Sequence, residues 1–331
     1  MGDGRRARAH RIAAFDLGTV SSRLLLAEVE DGRVVRSSKR TVITELGEGV
    51  DASGLFAEAA VRRVLDACEG FLREVAAFGP ERVCTTLTSA ARDVSNGERL
   101  LRELEALGLA PQVIPGEVEA RLTFYGVARD FPGERIAVAD SGGGSTEIAV
   151  GSCVPGEPLS LECAQSLNIG CRRVFDKFLA SDPATDGEFA AARAWVRPQF
   201  DAYWAALGSR PEQLVAVGGT VTTLSALAQG MEVYDSHRVH LSELSLGDIE
   251  AGFERMHGLT RVQVGELPAV QPERARVLPA GTLIIRELVA AGGYGALTVS
   301  ENSIMAGVVQ TVAELLDGRE PAIGWTPRLS Y

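Results

Sequence analysis

The sequence predicts an α/β protein built as two similar lobes that face each other across a cleft. Three observations carry that prediction: a segment written twice, a matching order of strands and helices after each copy, and a length that allows two cores. The first copy, residues 11–29, reads RIAAFDLGTVSSRLLLAEV, and the second, residues 135–153, reads RIAVADSGGGSTEIAVGSC. At a constant offset of 124 residues, Arg11, Ile12 and Ala13 repeat as Arg135, Ile136 and Ala137. Asp16 falls on Asp140, Gly18 on Gly142 and Ser21 on Ser145. Each copy is an apolar run of strand character, an Asp-x-Gly turn, a small polar loop and a second apolar run. Such a pattern makes a β-hairpin with a carboxylate at its tip and backbone N–H groups that can close on an anion. Carboxylate and phosphate repel, so an Asp beside such a loop suggests a divalent cation between them, Mg²⁺ or another.

The elements follow in order. Strands are expected near 11–16, 22–29 and 33–43, with Glu30-Asp31-Gly32 as a hairpin turn. Leu55, Ala59, Val61, Leu65, Phe71, Leu72 and Val75 recur at helical spacing, which predicts a helix over about 55–78. A strand at 82–86, a helix at 97–107, a strand at 111–114 and a helix at 116–128 complete the first lobe. The pattern resets around Phe131-Pro132-Gly133. The second lobe opens with the repeated hairpin, then a strand near 159–166, helices over 170–180 and 186–207, and a strand at 213–217. A helix over 220–230, helices near 246–257 and 272–291, a strand at 296–300 and a helix over 302–317 follow. Three antiparallel strands followed by αβαβα, twice, is the duplicated ribonuclease-H-like arrangement of the actin, Hsp70 and sugar-kinase superfamily. The expected division is residues 1–130 and 131–300, with the helix at 301–318 packing back on the first lobe and 319–331 as an irregular tail.

At 331 residues, each lobe can bury its own core. No apolar stretch approaches a membrane span, and the basic start MGDGRRARAH runs into an Asp, so it is read as a frayed tail and not a signal peptide. Five scattered cysteines without a CxxC pair suit buried small hydrophobes in a reducing cytoplasm. A formal charge of −11 argues against a nucleic-acid partner, and nothing suggests a membrane one.

Chemistry concentrates in a few segments. In DSGGGSTE (140–147), Gly142, Gly143 and Gly144 let the backbone approach a phosphate closely, and Ser145 and Thr146 add hydroxyls. Asp140 ends one strand and Glu147 opens its return, so both can converge on a metal ion, as can Asp16 in the first copy. The plain alternative is a glycine-rich hairpin with an acidic edge. Gly18, Thr19 and Ser21 form the matching first loop. Glu117 and Glu119 start a helix, where an acidic residue gains from the helix dipole in any case. The functional reading makes Glu119 a general base pointing into the cleft. Arg92, after a strand end, and Arg121 are candidates for bidentate phosphate binding or for structural ion pairs. Gly218-Gly219-Thr220, at a strand–helix junction, reads as a further anion contact or a tight turn. His237 and His240 read as solvent-facing or capping residues.

Together these segments resemble the exopolyphosphatase / guanosine pentaphosphate phosphohydrolase (Ppx/GppA) family along nearly the whole chain. AAFDLGTVSSRLL resembles the family's first phosphate loop, TSAARDVSNG its T-S-A-x-R-D-x-x-N segment and VIPGEVEARLTFYGV its G-x-E-E-A-R segment. DSGGGSTEIAVG resembles the second phosphate loop, VGGTVTTLSAL the Gly-Gly-Thr segment, and PERARVLPAG and VSENSIMAG the closing pair. The resemblance implies a short two-lobed form in which Glu119 activates water, Arg92 contacts phosphate, and Asp140 and Glu147 surround the divalent metal. It further implies a cytoplasmic enzyme releasing terminal phosphate from polyphosphate, from guanosine pentaphosphate or from both, with polyphosphate or guanosine penta- or tetraphosphate as its partner; a homodimer is left open. The chain departs from the family at Val20, where an asparagine is usual, and at Val118, where a glutamate is common. Either the backbone alone serves the first loop or that half of the site is weakened. Two other readings stand beside this one: an ATP-dependent small-molecule kinase or ATPase of the same superfamily, and a non-catalytic nucleotide or polyphosphate sensor.

Overall fold

Both repeated hairpins open a sheet, and the two sheets share one strand order. The computed structural model describes residues 9–155 and 157–331, so the basic start read as a frayed tail lies, through residue 8, outside the described residues. In the first sheet β1 (His10–Leu17), β2 (Ser21–Glu30) and β3 (Arg33–Ile43) are antiparallel. The turn between β2 and β3 is Asp31-Gly32, both at positive φ, as a two-residue hairpin of matching twist requires. β4 (Arg82–Leu87) lies parallel to β1, and β5 (Pro111–Val113) lies parallel to β4.

The second sheet repeats the scheme. β6 (Arg135–Ser141), β7 (Thr146–Ser152) and β8 (Ser160–Leu167) are antiparallel, and β9 (Gln213–Val217) runs parallel to β6. β11 (Ala296–Val299) then lies parallel to β9. A strand that the sequence reading missed, β10 (Glu243–Ser245), caps that edge; three residues are too few to show a period.

Two further expectations are corrected. The tail at 319–331 is not wholly irregular, because β12 (Leu329–Ser330) pairs antiparallel with β4 beside Val83 and Cys84. The single helix expected over 272–291 is a 3₁₀ turn, Pro272–Arg274, followed by a separate helix, Leu278–Gly292. Pro279 explains the break, since proline fits the first turn of a helix and not its interior.

Alternation along β1 divides the first lobe's core. Ala13, Phe15 and Leu17 face the helix Glu58–Phe78, whereas Ile12 and Ala14 face the last helix, Ile304–Leu316. The last helix therefore packs on the first sheet. Among the described residues no helix is long and apolar enough to cross a membrane. Cys68, Cys84 and Cys171 are buried, and burial pushes each thiol up to about 12; Cys153 and Cys163 are half-buried.

The helix Gly116–Ala128 decides where the site lies. Its Leu122 and Tyr125 join the first lobe's core, while Ala120, Phe124, Val127 and Ala128 pack on Ile136, Val138, Val215 and Val217 of the second. It crosses the last helix at glycines: a Cβ on Gly126 would meet backbone of Ser303 and Gly307, and one on Gly307 would collide with the Leu122 carbonyl. Backbone cannot yield as a flexible side chain can. Gly307→Ala is therefore expected to destabilise the protein by about 1–3 kcal/mol, read as a lower thermal midpoint. An unchanged midpoint would show that the two helices can move apart freely.

Candidate active site

The two phosphate-loop candidates share one hydrogen bond at the 124-residue offset. Gly18 N–H donates to the Ser21 carbonyl at 3.0 Å, and Gly142 N–H donates to the Ser145 carbonyl at 2.9 Å. In the first loop, the Thr19 carbonyl accepts from Gly47 N–H at 2.8 Å, and the Val20 carbonyl accepts from Thr44 and Glu45 at 3.0 and 2.9 Å. A trans peptide places its N–H opposite its carbonyl. The N–H groups of Val20 and Ser21 are thus turned away from residues 44–47. In the second loop, the Gly142 and Gly143 carbonyls accept from Cys171 and Arg172 N–H at 3.0 and 2.8 Å, which turns the Gly143 and Gly144 N–H groups the other way. Both loops line one cleft with about 760 Å³ of empty space, part of it open to solvent. Gly18, Thr19, Ser21, Gly142, Gly143, Gly144 and Ser145 all stand on its walls.

Val20 has a job that the sequence did not reveal. Its side chain is buried in the second lobe's apolar core with Ile169 and Cys171, and a Cβ on Gly143 would lie 2.6 Å from its Cγ2. Val20 is an apolar peg from one lobe into the other, while its backbone faces the cleft. An asparagine there would put an amide among apolar neighbours.

Four carboxylates meet the same cleft. Asp16 sits opposite Arg23 across the first hairpin, with Arg23 Nε 3.1 Å from Asp16 Oδ2. Asp140 sits opposite Glu147 in the second. Arg23 and Glu147 are equivalent positions at the 124-residue offset, so the two halves carry opposite charge at the same place. Glu119, at the start of its helix, is buried and accepts from Arg92 Nη1 at 2.7 Å. The Arg92 Nη2 reaches the Ser145 hydroxyl at 3.5 Å and lies 3.7 Å from Glu147 Oε1. Arg92 therefore bridges Glu119 of one lobe and the second loop of the other.

Burial dominates the charge states. It holds Asp16 above the usual carboxylate range against the pull of Arg23. It raises Asp140 to about 6 and Glu147 to about 7. Glu119 is raised well above its ordinary value by burial and then by the negative charge of Glu147, with Arg92 opposing. Displaced carboxylates in a cleft mark a place for proton transfer or cation binding.

The donors fit a hard divalent cation. Asp16 Oδ1 is buried without a hydrogen-bond partner, and the nearby donors are carboxylate and hydroxyl oxygens. Among the described residues no group of three or more His, Cys, Asp or Glu side chains forms a ready cage. Magnesium is commonly held by one or two carboxylates, waters and substrate phosphate, so it needs none. Glu147 Oε1 already accepts from Ser145 and Ser166 hydroxyls, each at 2.6 Å.

Other expected residues divide. Gly218, Gly219 and Thr220 line the cleft, and Gly218 at φ 103° approaches Asp140 Oδ1 so closely that a Cβ would lie 3.2 Å away. Thr146 is a correction: its hydroxyl donates to the Ile169 carbonyl at 2.6 Å and does not face the cleft, because its neighbour Ser145 holds the inward place. Glu117 pairs with Arg121 on the exposed side of their helix, away from Glu119. His237 donates its N–H to Asp235, and His240 Nδ1 accepts from Glu301 N–H, so neither joins the carboxylates. Sequence reasoning missed Arg23 and Arg274. Arg23 could have been found by carrying the repeat to position 147. Arg274 reaches the cleft wall beside Gly219 only because the helix expected over 272–291 is broken.

Two tests follow from this geometry. Val20→Asn is expected to destabilise the protein by about 1–3 kcal/mol and to lower turnover; a gain in substrate affinity would contradict the peg. Folded Asp140 and Glu147 keep protons to about pH 6 and about 7, against about 4 in an unfolded chain. The folded state then binds more protons, so stability falls as pH rises through that window. Cation-free protein is expected to melt at lower temperature at about pH 8 than at about pH 5, with magnesium restoring the loss mainly at the higher pH. A magnesium effect equal at both values would remove these carboxylates from cation binding.

Comparison with known proteins gives the family. Residues 25–314 match the Ppx/GppA phosphatase family. Exopolyphosphatase 2 of Mycobacterium tuberculosis is 37% identical over 323 residues, which cover 92% of this chain and 98% of that protein. A guanosine-5′-triphosphate,3′-diphosphate pyrophosphatase of Photobacterium profundum is 30% identical over 307 residues, covering 90% of this chain and 58% of that protein. The crystal structure of an exopolyphosphatase-like protein superposes with a TM-score of 0.86 at 30% identity, covering 93% of this chain and 99% of the other. With its two loops on one cleft and these relatives along nearly its whole length, the chain is a phosphohydrolase that belongs to the Ppx/GppA phosphatase family.

Proposed function

We propose that this chain releases terminal phosphate from inorganic polyphosphate, from guanosine pentaphosphate or from both, by in-line attack of a water that Glu119 deprotonates. One observation carries the reading: Glu119, held by Arg92, lines the same cleft as both glycine loops. The M. tuberculosis and P. profundum relatives are named for those two substrate classes.

Glu119 Oε2 is engaged by Arg92, which leaves Oε1 for the attacking water. Its burial raises its proton affinity, as suits a general base working near neutral pH. Charge growing on the equatorial phosphoryl oxygens meets the loop N–H groups, which are fixed before the reaction begins. A divalent cation held by Asp140 and Asp16, with Glu147, would supply positive charge to the anhydride oxygens. The leaving group is itself a phosphate and needs little acid assistance. A cytoplasmic location belongs to the same proposal. Val20, the one feature that favoured a sensor without turnover, has a packing reason.

Glu119→Gln keeps a partner for Arg92 and cannot take a proton. It is expected to lower the rate of phosphate release about 10²–10⁴-fold while tripolyphosphate still binds. The assay is phosphate release from long and short polyphosphate, guanosine pentaphosphate and ATP, with magnesium and with a chelator. Near-full activity of the Gln variant would remove Glu119 from the reaction. Hydrolysis of ATP alone would favour an ATPase.

A further inference from the structure

We propose that Arg173 is a positioning residue that makes the anion-binding shape of the second phosphate loop depend on closure of the two lobes. Its guanidinium has partners on both sides of the cleft. Nε donates to the Gly144 carbonyl at 2.9 Å, within the second lobe. Nη1 pairs with Asp51 and Nη2 with Asp93, both in the first lobe. The side chain is only 15% exposed; its contacts with Gly144 and Asp51 are half-buried, and the one with Asp93 lies at the exposed rim.

Each contact has a definite effect. The Gly142 and Gly143 carbonyls are held by backbone N–H groups at the start of the helix Cys171–Phe178, but the Gly144 carbonyl is held by the Arg173 side chain. Fixing that carbonyl turns the Ser145 N–H to the opposite side, completing the run of Gly143, Gly144 and Ser145 N–H groups. A Cβ on Gly144 would crowd Ser89 Oγ and Thr19 Oγ1 of the first lobe, so this peptide sits in the seam. Asp93 directly follows Arg92, so the same guanidinium also braces the segment that carries the arginine beside Glu119.

Three neighbouring ion pairs have the same polarity. Lys177 Nζ lies 2.6 Å from Asp51 Oδ2, Arg276 Nη1 lies 3.5 Å from Glu48 Oε1, and Arg172 pairs with Glu45. In each pair the cation comes from the second lobe and the carboxylate from the first. The chain crosses between lobes at about 129–134 and 300–303, and these ion pairs join the lobes at residues away from both crossings in sequence. Parting the lobes removes Asp51 and Asp93 from Arg173 and frees its fork to leave Gly144. An arginine fork can hold three acceptors in one plane, which a lysine cannot.

The proposal rests on the phosphate-binding reading of the cleft, and its test separates the two. Tripolyphosphate affinity by calorimetry, steady-state kinetics and the radius of gyration by small-angle scattering are measured on the full chain. Arg173→Gln is expected to weaken tripolyphosphate about ten- to a hundredfold, raising KM in proportion with kcat little changed, and to enlarge the ligand-free radius. Asp51→Asn with Asp93→Asn leaves the Gly144 contact in place and is expected to move affinity and radius in the same direction. This double variant decides the matter if Arg173→Gln does not fold. Wild-type affinity in the double variant, or an unchanged radius, overturns the coupling. A wild-type protein that binds no tripolyphosphate overturns the phosphate reading, and the scattering arm then still judges closure by Arg173.

Discussion

The site depends on one buried helix. Gly116–Ala128 touches both sheets and the last helix, and every residue from Glu119 to Ala128 except Arg121 is buried. A helix apolar on one face can roll or shift on its neighbour; one buried on nearly every face from its second turn onward has little room to do so. Glu119 is therefore fixed at the junction of the lobes by packing well away from the carboxylate itself. The crossing at Gly126 and Gly307 brings backbone against backbone, and Tyr125 adds a 2.5 Å hydrogen bond to Glu314 of the last helix. Arg129 donates to the same tyrosine oxygen at 2.7 Å, so the end of the helix is as firmly held as its middle.

That rigidity has an electrostatic consequence. The closed cleft holds Asp16, Asp140, Glu119 and Glu147 out of water, and burial outweighs the attraction of Arg23 and Arg92 at each. Charged carboxylates there are short of compensation. An anion entering such a place is favoured by added positive charge, which is the physical ground for the cation in the proposed reaction. The pseudo-equivalence of Arg23 and Glu147 shows how the duplicated halves have specialised. One hairpin pairs its Asp with a cation, and the other pairs its Asp with a second carboxylate.

Closure joins these features. Val20 crosses into the second lobe's core, Arg92 reaches from Glu119 to the second loop, and a set of ion pairs joins the lobes. Apolar insertion tolerates little displacement, whereas ion pairs act over longer range. The combination draws the lobes together and then sets their final register.

What the sequence by itself determined is what the backbone determines locally. The hairpins, the glycine loops, the succession of strands and helices in both halves and the helix bearing Glu119 follow from periodicity, turn residues and the 124-residue repeat. Apart from the repeat, these signals need only neighbours within a few residues. Tertiary structure decided which side chains meet. It put Val20 in a core formed by residues beyond 136, and gave Thr146 to the Ile169 carbonyl and the inward place to Ser145. It brought Arg23 and Arg274 to the cleft, the second through a helix break that hydrophobic spacing alone did not show. An arginine or a valine has the same local preferences whether it faces solvent, a core or a ligand. Only tertiary packing distinguishes those fates.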